Sequence, residues 1–157
     1  MVLQIMPQVI YFIKINMREF SILPKIQDFE LDMIDNILDD HIPENVRKYL
    51  KTYGGNSILE CYYTDNGGLE WELSQFNLFI DLFKLTKEFK ENGWGLKVPF
   101  AYDPGGWHFC LSFDKETYGK IIINRWTDHS PEEQFLIIAD SFDKFINGLQ
   151  KAPESIS

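Results

Sequence analysis

The chain has 157 residues, 45% of them hydrophobic and 15% aromatic; this is the length of one domain with rings enough to fill a core, which excludes intrinsic disorder as its main state. Its 15 basic residues stand against 24 acidic ones, a formal charge of −9, which disfavours binding to phosphate backbones and suits a basic protein partner. Cys61 and Cys110 are too few for a disulfide framework or a Cys-rich zinc site, and the longest apolar runs, Val9–Ile13 and Phe135–Ala139, fall far short of the roughly 20 residues that span a bilayer.

From the N-terminus, Met1–Met6 carries no basic residue, and Pro7 and Lys14 bound the apolar stretch. A signal peptide is therefore not expected, and a reduced, cytoplasmic protein is. Residues 1–28 read as an N-terminal extension, with a strand packed on the domain as its expected form. Phe29–Asp40 reads as a helix with Leu31, Ile34, Ile37 and Leu38 at helical spacing. Pro43 can open the next helix, where a missing N–H costs nothing. Val46, Tyr49, Leu50 and Tyr53 recur along it as an expected buried stripe, and Gly54-Gly55 ends it.

Ser57–Thr64 and Leu69–Leu73 read as strands around Asp65-Asn66-Gly67-Gly68, a strong hairpin signal. Leu78, Leu82, Leu85 and Phe89 mark a third helix stopped by Asn92-Gly93. Leu96–Asp103 alternates apolar with more polar positions. After Pro104-Gly105-Gly106, Trp107, Phe109, Leu111 and Phe113 alternate with His108, Cys110 and Ser112. Lys120–Trp126 is a further strand. Phe142, Phe145, Ile146 and Leu149 form the stripe of a C-terminal helix capped by Asp140 or Ser141. The fold class is α+β, an antiparallel meander flanked by N-terminal, middle and C-terminal helices. One domain is expected over residues 29–150, with a tail at 151–157.

The carboxylates are the most informative feature. Asp28, Asp32, Asp35 and Asp39 fall within an arc of about 60° on the first helix, and Asp40 follows at the helix end that disfavours negative charge. Two readings stand: a solvated face partly neutralised by Arg47, Lys48 and Lys51, or a surface kept acidic for a basic partner. On either, the carboxylates are expected to point away from the apolar stripe, so that reversing their charge leaves the fold intact. Trp126, with Asp128, Glu132 and Glu133 on an expected loop, is a second candidate, an aromatic anchor beside carboxylates or a core ring. His108 and Cys110 share a strand face but lack a third metal ligand and an orienting partner for nucleophilic chemistry; they read as sheet packing. His41 and His129 read as solvated loop histidines. No glycine pair lies in a phosphate-cradling context. No catalytic residue, metal site or cofactor is expected.

The order of elements and their motifs resembles the SUKH superfamily. Ile42-Pro43-Glu44 with Tyr49-Leu50 and Tyr53-Gly54-Gly55 is similar to its signature helix. Val98-Pro99-Phe100-Ala101 through Gly105-Gly106 and Phe109-Cys110-Leu111 is similar to its hairpin. Ile138-Ala139-Asp140-Ser141-Phe142-Asp143-Lys144-Phe145 resembles its closing segment. The likeness runs over about residues 29–150.

The resemblance implies an antiparallel α+β scaffold and a protein-binding role. Bacterial members are commonly immunity proteins that neutralise a cognate toxin, often a nuclease, and fungal members are interaction proteins linked to cell-wall regulation. The implied function is immunity: binding a basic toxin and blocking it by stoichiometric occlusion, as a monomer or weak dimer, without nucleic acid or membrane. A regulatory scaffold without a toxin partner is the alternative, and an unrecognised hydrolase the third reading.

Overall fold

Helix α1 (Asp28–Leu38) begins where the Gln27 main-chain N–H donates to Glu30 Oε1 at 2.9 Å, a glutamate in the first turn closing back on the cap. A computed structural model describes residues 25–153; the strand expected within residues 1–28 lies almost wholly outside them. Leu31, Ile34 and Leu38 are buried as their spacing requires. Asp39, in the left-handed region at φ 52°, turns the chain out of the helix.

Helix α2 (Glu44–Tyr53) follows Pro43 and buries Val46 and Leu50. The expected stripe is corrected at two positions. Tyr49 is only half-buried, and Tyr53 is 38% exposed. Arg47 is buried instead, because its guanidinium is turned to α1, where it meets Asp28, Asp32 and Asp35, and Tyr53 lies on the rim against Tyr49 and Phe76. Gly54 ends the helix with Ile26 packed on it; a Cβ there would come within 3.1 Å of Ile26 Cγ1 and 2.7 Å of Leu50 O.

Strands β1 (Glu60–Thr64) and β2 (Glu70–Glu72) pair antiparallel about the expected turn, where Asp65 Oδ1 accepts from the main-chain N–H of Gly67 and Leu69. Strand β3 (Gln75–Phe76) leads into α3 (Phe79–Glu91), which buries Leu82, Thr86 and Phe89 and stops at Asn92-Gly93. Then come β4 (Lys97–Tyr102), β5 (His108–Ser112), β6 (Ile121–Asn124), β7 (Phe135–Ala139), α4 (Phe142–Asn147) and β8 (Gln150–Lys151). Ser141 caps α4 by accepting from Lys144 N at 3.1 Å.

The strands are antiparallel as expected, but among the described residues they form two sheets, β2-β1-β8 and β3-β4-β5-β6-β7. In the larger one, Val98, Phe100, Phe109, Leu111, Ile121 and Ile123 join the core built by α1, α2, α4 and the first half of α3. The supposedly polar positions between them are covered too: Lys97, Cys110, Ser112 and Ile122 are all buried. Phe89 of α3 lies edge-on to His108 of β5, 5.4 Å between ring centroids, so a helix covers part of the second face as well. Alternation therefore describes two buried faces rather than an inside and an outside.

Two local devices make this possible. Lys97 Nζ donates to Asp114 Oδ2 and Trp94 O, both at 2.7 Å, and sits 4.4 Å from the Phe135 ring centroid. Gly95, at φ +92°, leaves room for that pair, since a Cβ there would strike the Asp114 carboxylate and lie 2.8 Å from Lys97 Nζ. Pro99 sits where the β4–β5 register shifts, so its missing N–H breaks no regular ladder. Its carbonyl accepts from the buried Asn77 Nδ2 at 2.8 Å.

Candidate partner-binding surfaces

The α1 carboxylates lie on one face as the helical arc requires, but that face is organised around Arg47. The Arg47 side chain is 3% exposed and reaches Asp28 Oδ1 at 3.3 Å, Asp32 Oδ1 at 2.9 Å and Asp35 Oδ2 at 2.5 Å. Its Nε donates to the Ile42 carbonyl at 3.1 Å. Burial works against the guanidinium charge, but the hydrogen bond to Asp32 and the charge of Asp35 outweigh it and raise its pKa. Lys51 Nζ donates to Asp28 Oδ2 at 2.9 Å, which is the largest cause of Asp28's lowered pKa.

Asp35 is the most enclosed of these carboxylates, its side chain 14% exposed. Beyond Arg47 it accepts from the Ile42 N–H at 2.9 Å and bonds His41 Nδ1 at 2.9 Å. The expectation that reversing this face leaves the fold intact is thereby corrected at Asp35: its carboxylate holds α1, α2 and the link between them together. His41, expected to be solvated, keeps 63% of its side chain exposed but is tied to Asp35 and reaches Glu44 at 3.6 Å. Asp40 accepts from the His41 N–H and from the Tyr118 hydroxyl at 2.9 Å, and that second bond is the main cause of Tyr118's raised pKa. Asp39 is exposed at the helix end.

The second candidate lies at the end of the five-stranded sheet, where the β4–β5 turn meets the β6–β7 loop. The two segments exchange indole bonds: Trp126 Nε1 donates to Gly106 O at 3.0 Å, and Trp107 Nε1 donates to Thr127 Oγ1 at 2.8 Å. Trp126 stacks on His108 with 6.3 Å between centroids and 16° between planes, and Trp107 meets His129 edge-on at 5.3 Å. His129 is thus half-buried rather than solvated. Trp126 is not core: it is 47% exposed.

Asp128, with φ 63°, and Glu132 and Glu133, on a short 3-10 turn at Pro131–Glu133, are exposed on the same loop. Glu132's own main-chain N–H is the first cause that lowers its pKa, followed by the Ser130 hydroxyl. Arg125 points its guanidinium at the Glu133 carbonyl instead of a carboxylate.

His108 and Cys110 point to one face, as their spacing predicts. Cys110 is fully buried, with its thiol pKa pushed up by burial. His108 is packed between Phe89 and Trp126, its Nδ1 lies 3.3 Å from Asn124 Nδ2, and burial lowers its pKa. Neither has an acidic or nucleophilic partner set for reaction. Among the described residues no three His, Cys, Asp or Glu side chains gather as a metal site, and no helix is long and apolar enough to cross a membrane.

The reading of an α1 face partly neutralised by Arg47, Lys48 and Lys51 holds for Arg47 and Lys51; sequence reasoning missed the burial of Arg47 at its centre, and Trp107 and His129 as parts of the sheet-end frame. The available signal for Arg47 was its position between Val46 and Leu50 on the buried side of α2, opposite carboxylates spaced at helical intervals.

Among the described residues two antiparallel sheets, four helices and a laced pair of loops make up a small α+β fold. A family model described as SMI1-KNR4 cell-wall, SUKH_6, matches residues 28–146. The chain belongs to the SUKH superfamily. No curated protein matches it.

Proposed function

We propose that this protein is an immunity-type inhibitor that binds a cognate toxin domain bearing a basic surface and neutralises it by stoichiometric occlusion in the cytoplasm. Membership of the SUKH superfamily across residues 28–146 carries this reading. The charge of −9 supports it, since a strongly acidic protein attracts and orients a cationic one at long range. Binding, rather than turnover, is the role the site chemistry supports: His108, His129 and Cys110 are packing groups, and the carboxylates lie among arginine, lysine and tryptophan residues.

The test is co-expression with the product of the neighbouring open reading frame. A one-to-one complex that co-purifies and rescues cells from that product is the expected result. A product that is harmless alone, or that is not held by this protein, sinks the toxin assignment. The cell-wall description of the matching family favours a second reading, a regulatory scaffold. That reading predicts that deletion of the gene alters cell-wall integrity with no toxin present.

A further inference from the structure

We propose that the Trp126 indole, with Asp128, Glu132 and Glu133 exposed on the same β6–β7 loop, is the docking surface for an arginine- or lysine-bearing segment of the toxin, an inference that rests on the immunity reading above. Trp126 is the exposed one of four tryptophans; Trp71, Trp94 and Trp107 are half-buried. A large aromatic beside solvent is the usual anchor of an interface, and the open face of an indole attracts a guanidinium or ammonium group. The ring is already ordered by its bond to Gly106 and its stacking on His108, so docking immobilises little that is free.

The loop carboxylates decide the sign of the partner. Among the described residues Asp128, Glu132 and Glu133 form no ion pair, whereas the Asp28, Asp32 and Asp35 carboxylates do. The cation on the same loop, Arg125, is turned to a main-chain carbonyl. Three exposed carboxylates that form no ion pair share the loop of the exposed ring, and the complement of that surface is cationic. A second copy of this chain would set the same carboxylates against themselves, and a nucleic acid would set phosphates against them.

The measurement is association and dissociation of the inactivated neighbouring gene product with three variants of the full chain. Glu132→Lys/Glu133→Lys should slow association at low salt by about 10-fold or more and flatten its salt dependence. A charge-matched control at exposed positions elsewhere, Glu91→Lys/Glu116→Lys, should change it by less than about twofold. Trp126→Ala should speed dissociation by roughly 30-fold. Should Trp126→Ala fail to fold, the glutamate pair decides, because both side chains lie in solvent. Wild-type binding with association equally fast in the Glu132/Glu133 variant and its control overturns this surface while leaving the immunity reading in place. Dimerisation of the chain that Glu132→Lys/Glu133→Lys abolishes also overturns it. Absence of binding by the wild-type protein overturns the immunity reading itself, and the toxin surface with it.

Discussion

The α1 face and the sheet-end loop carry the same kind of residue to opposite ends. Both gather carboxylates, and in sequence either can be read as a patch kept acidic for a basic partner. On α1 the cation is already there: Arg47 and Lys51 come from the next helix, and Asp35 is nearly enclosed with them. On the β6–β7 loop the carboxylates share a segment with an exposed indole, and Arg125 faces a carbonyl. An acidic cluster is thus an internal clamp or an outward surface depending on what the neighbouring element presents to it.

The comparison breaks most visibly in stability. Leu50→Ala, which empties a fully buried position shared by α2 and the core, sets the scale at about 2–5 kcal/mol in urea unfolding. Asp35→Ala should approach it, at about 3 kcal/mol, because it leaves Arg47 buried with its closest carboxylate gone. Arg47→Met should cost less than Asp35→Ala, since it removes the charge along with the need for partners. If Asp35→Ala unfolds at the wild-type midpoint, the clamp is a surface ornament and the contrast fails.

Acid separates the two regions by window. Burial lowers the pKa of His108 in the folded protein, so below its ordinary value near ~6.5 the unfolded chain takes up a proton that the folded chain refuses. Stability should therefore begin to fall as pH drops through that value, and His108→Gln should flatten this limb. Asp28 has a lowered folded pKa, led by the hydrogen bond from Lys51; its contribution is present above the ordinary carboxylate range and lost only as pH falls below it. Lys51→Met should alter the acid limb alone. Unfolding midpoints measured across pH check both, and a single limb moved by both substitutions would merge the regions.

The smallest stability effect belongs to the loop. Glu132→Lys/Glu133→Lys should leave the unfolding midpoint close to the wild-type value, although it is expected to weaken partner association. A clear loss would show that these carboxylates, too, hold the fold.

Much of the frame was legible from local chemistry. The Leu31, Ile34 and Leu38 stripe, the Asp65 turn, the Gly54-Gly55 and Asn92-Gly93 stops and the Ser141 cap each depend on neighbours in sequence, and each is found in place. Strand β7 is not legible as a strand, because Phe135–Ala139 is a continuous apolar run without alternation. Strands β3 and β8, two residues each, are too short to carry any period. The sites were legible as lists of residues and not as surfaces. Asp28, Asp32 and Asp35 share a helical face by geometry alone, but whether that face is open depends on where α2 directs Arg47. Trp126 could be core or anchor until the loop's contact with Gly106 was fixed in space.

The exchanged indole bonds carry a further consequence. They fix the two loops through a glycine carbonyl and a threonine hydroxyl, and none of the loop carboxylates takes part. Frame and reader are therefore separable in inheritance. Substitutions at Glu132 and Glu133 can accumulate one base change at a time while the scaffold beneath stays folded, whereas Asp128, at φ 63°, is held by its backbone to fewer replacements. The α1 clamp has no such freedom, because a change at Asp35 must be answered at Arg47 in the same step.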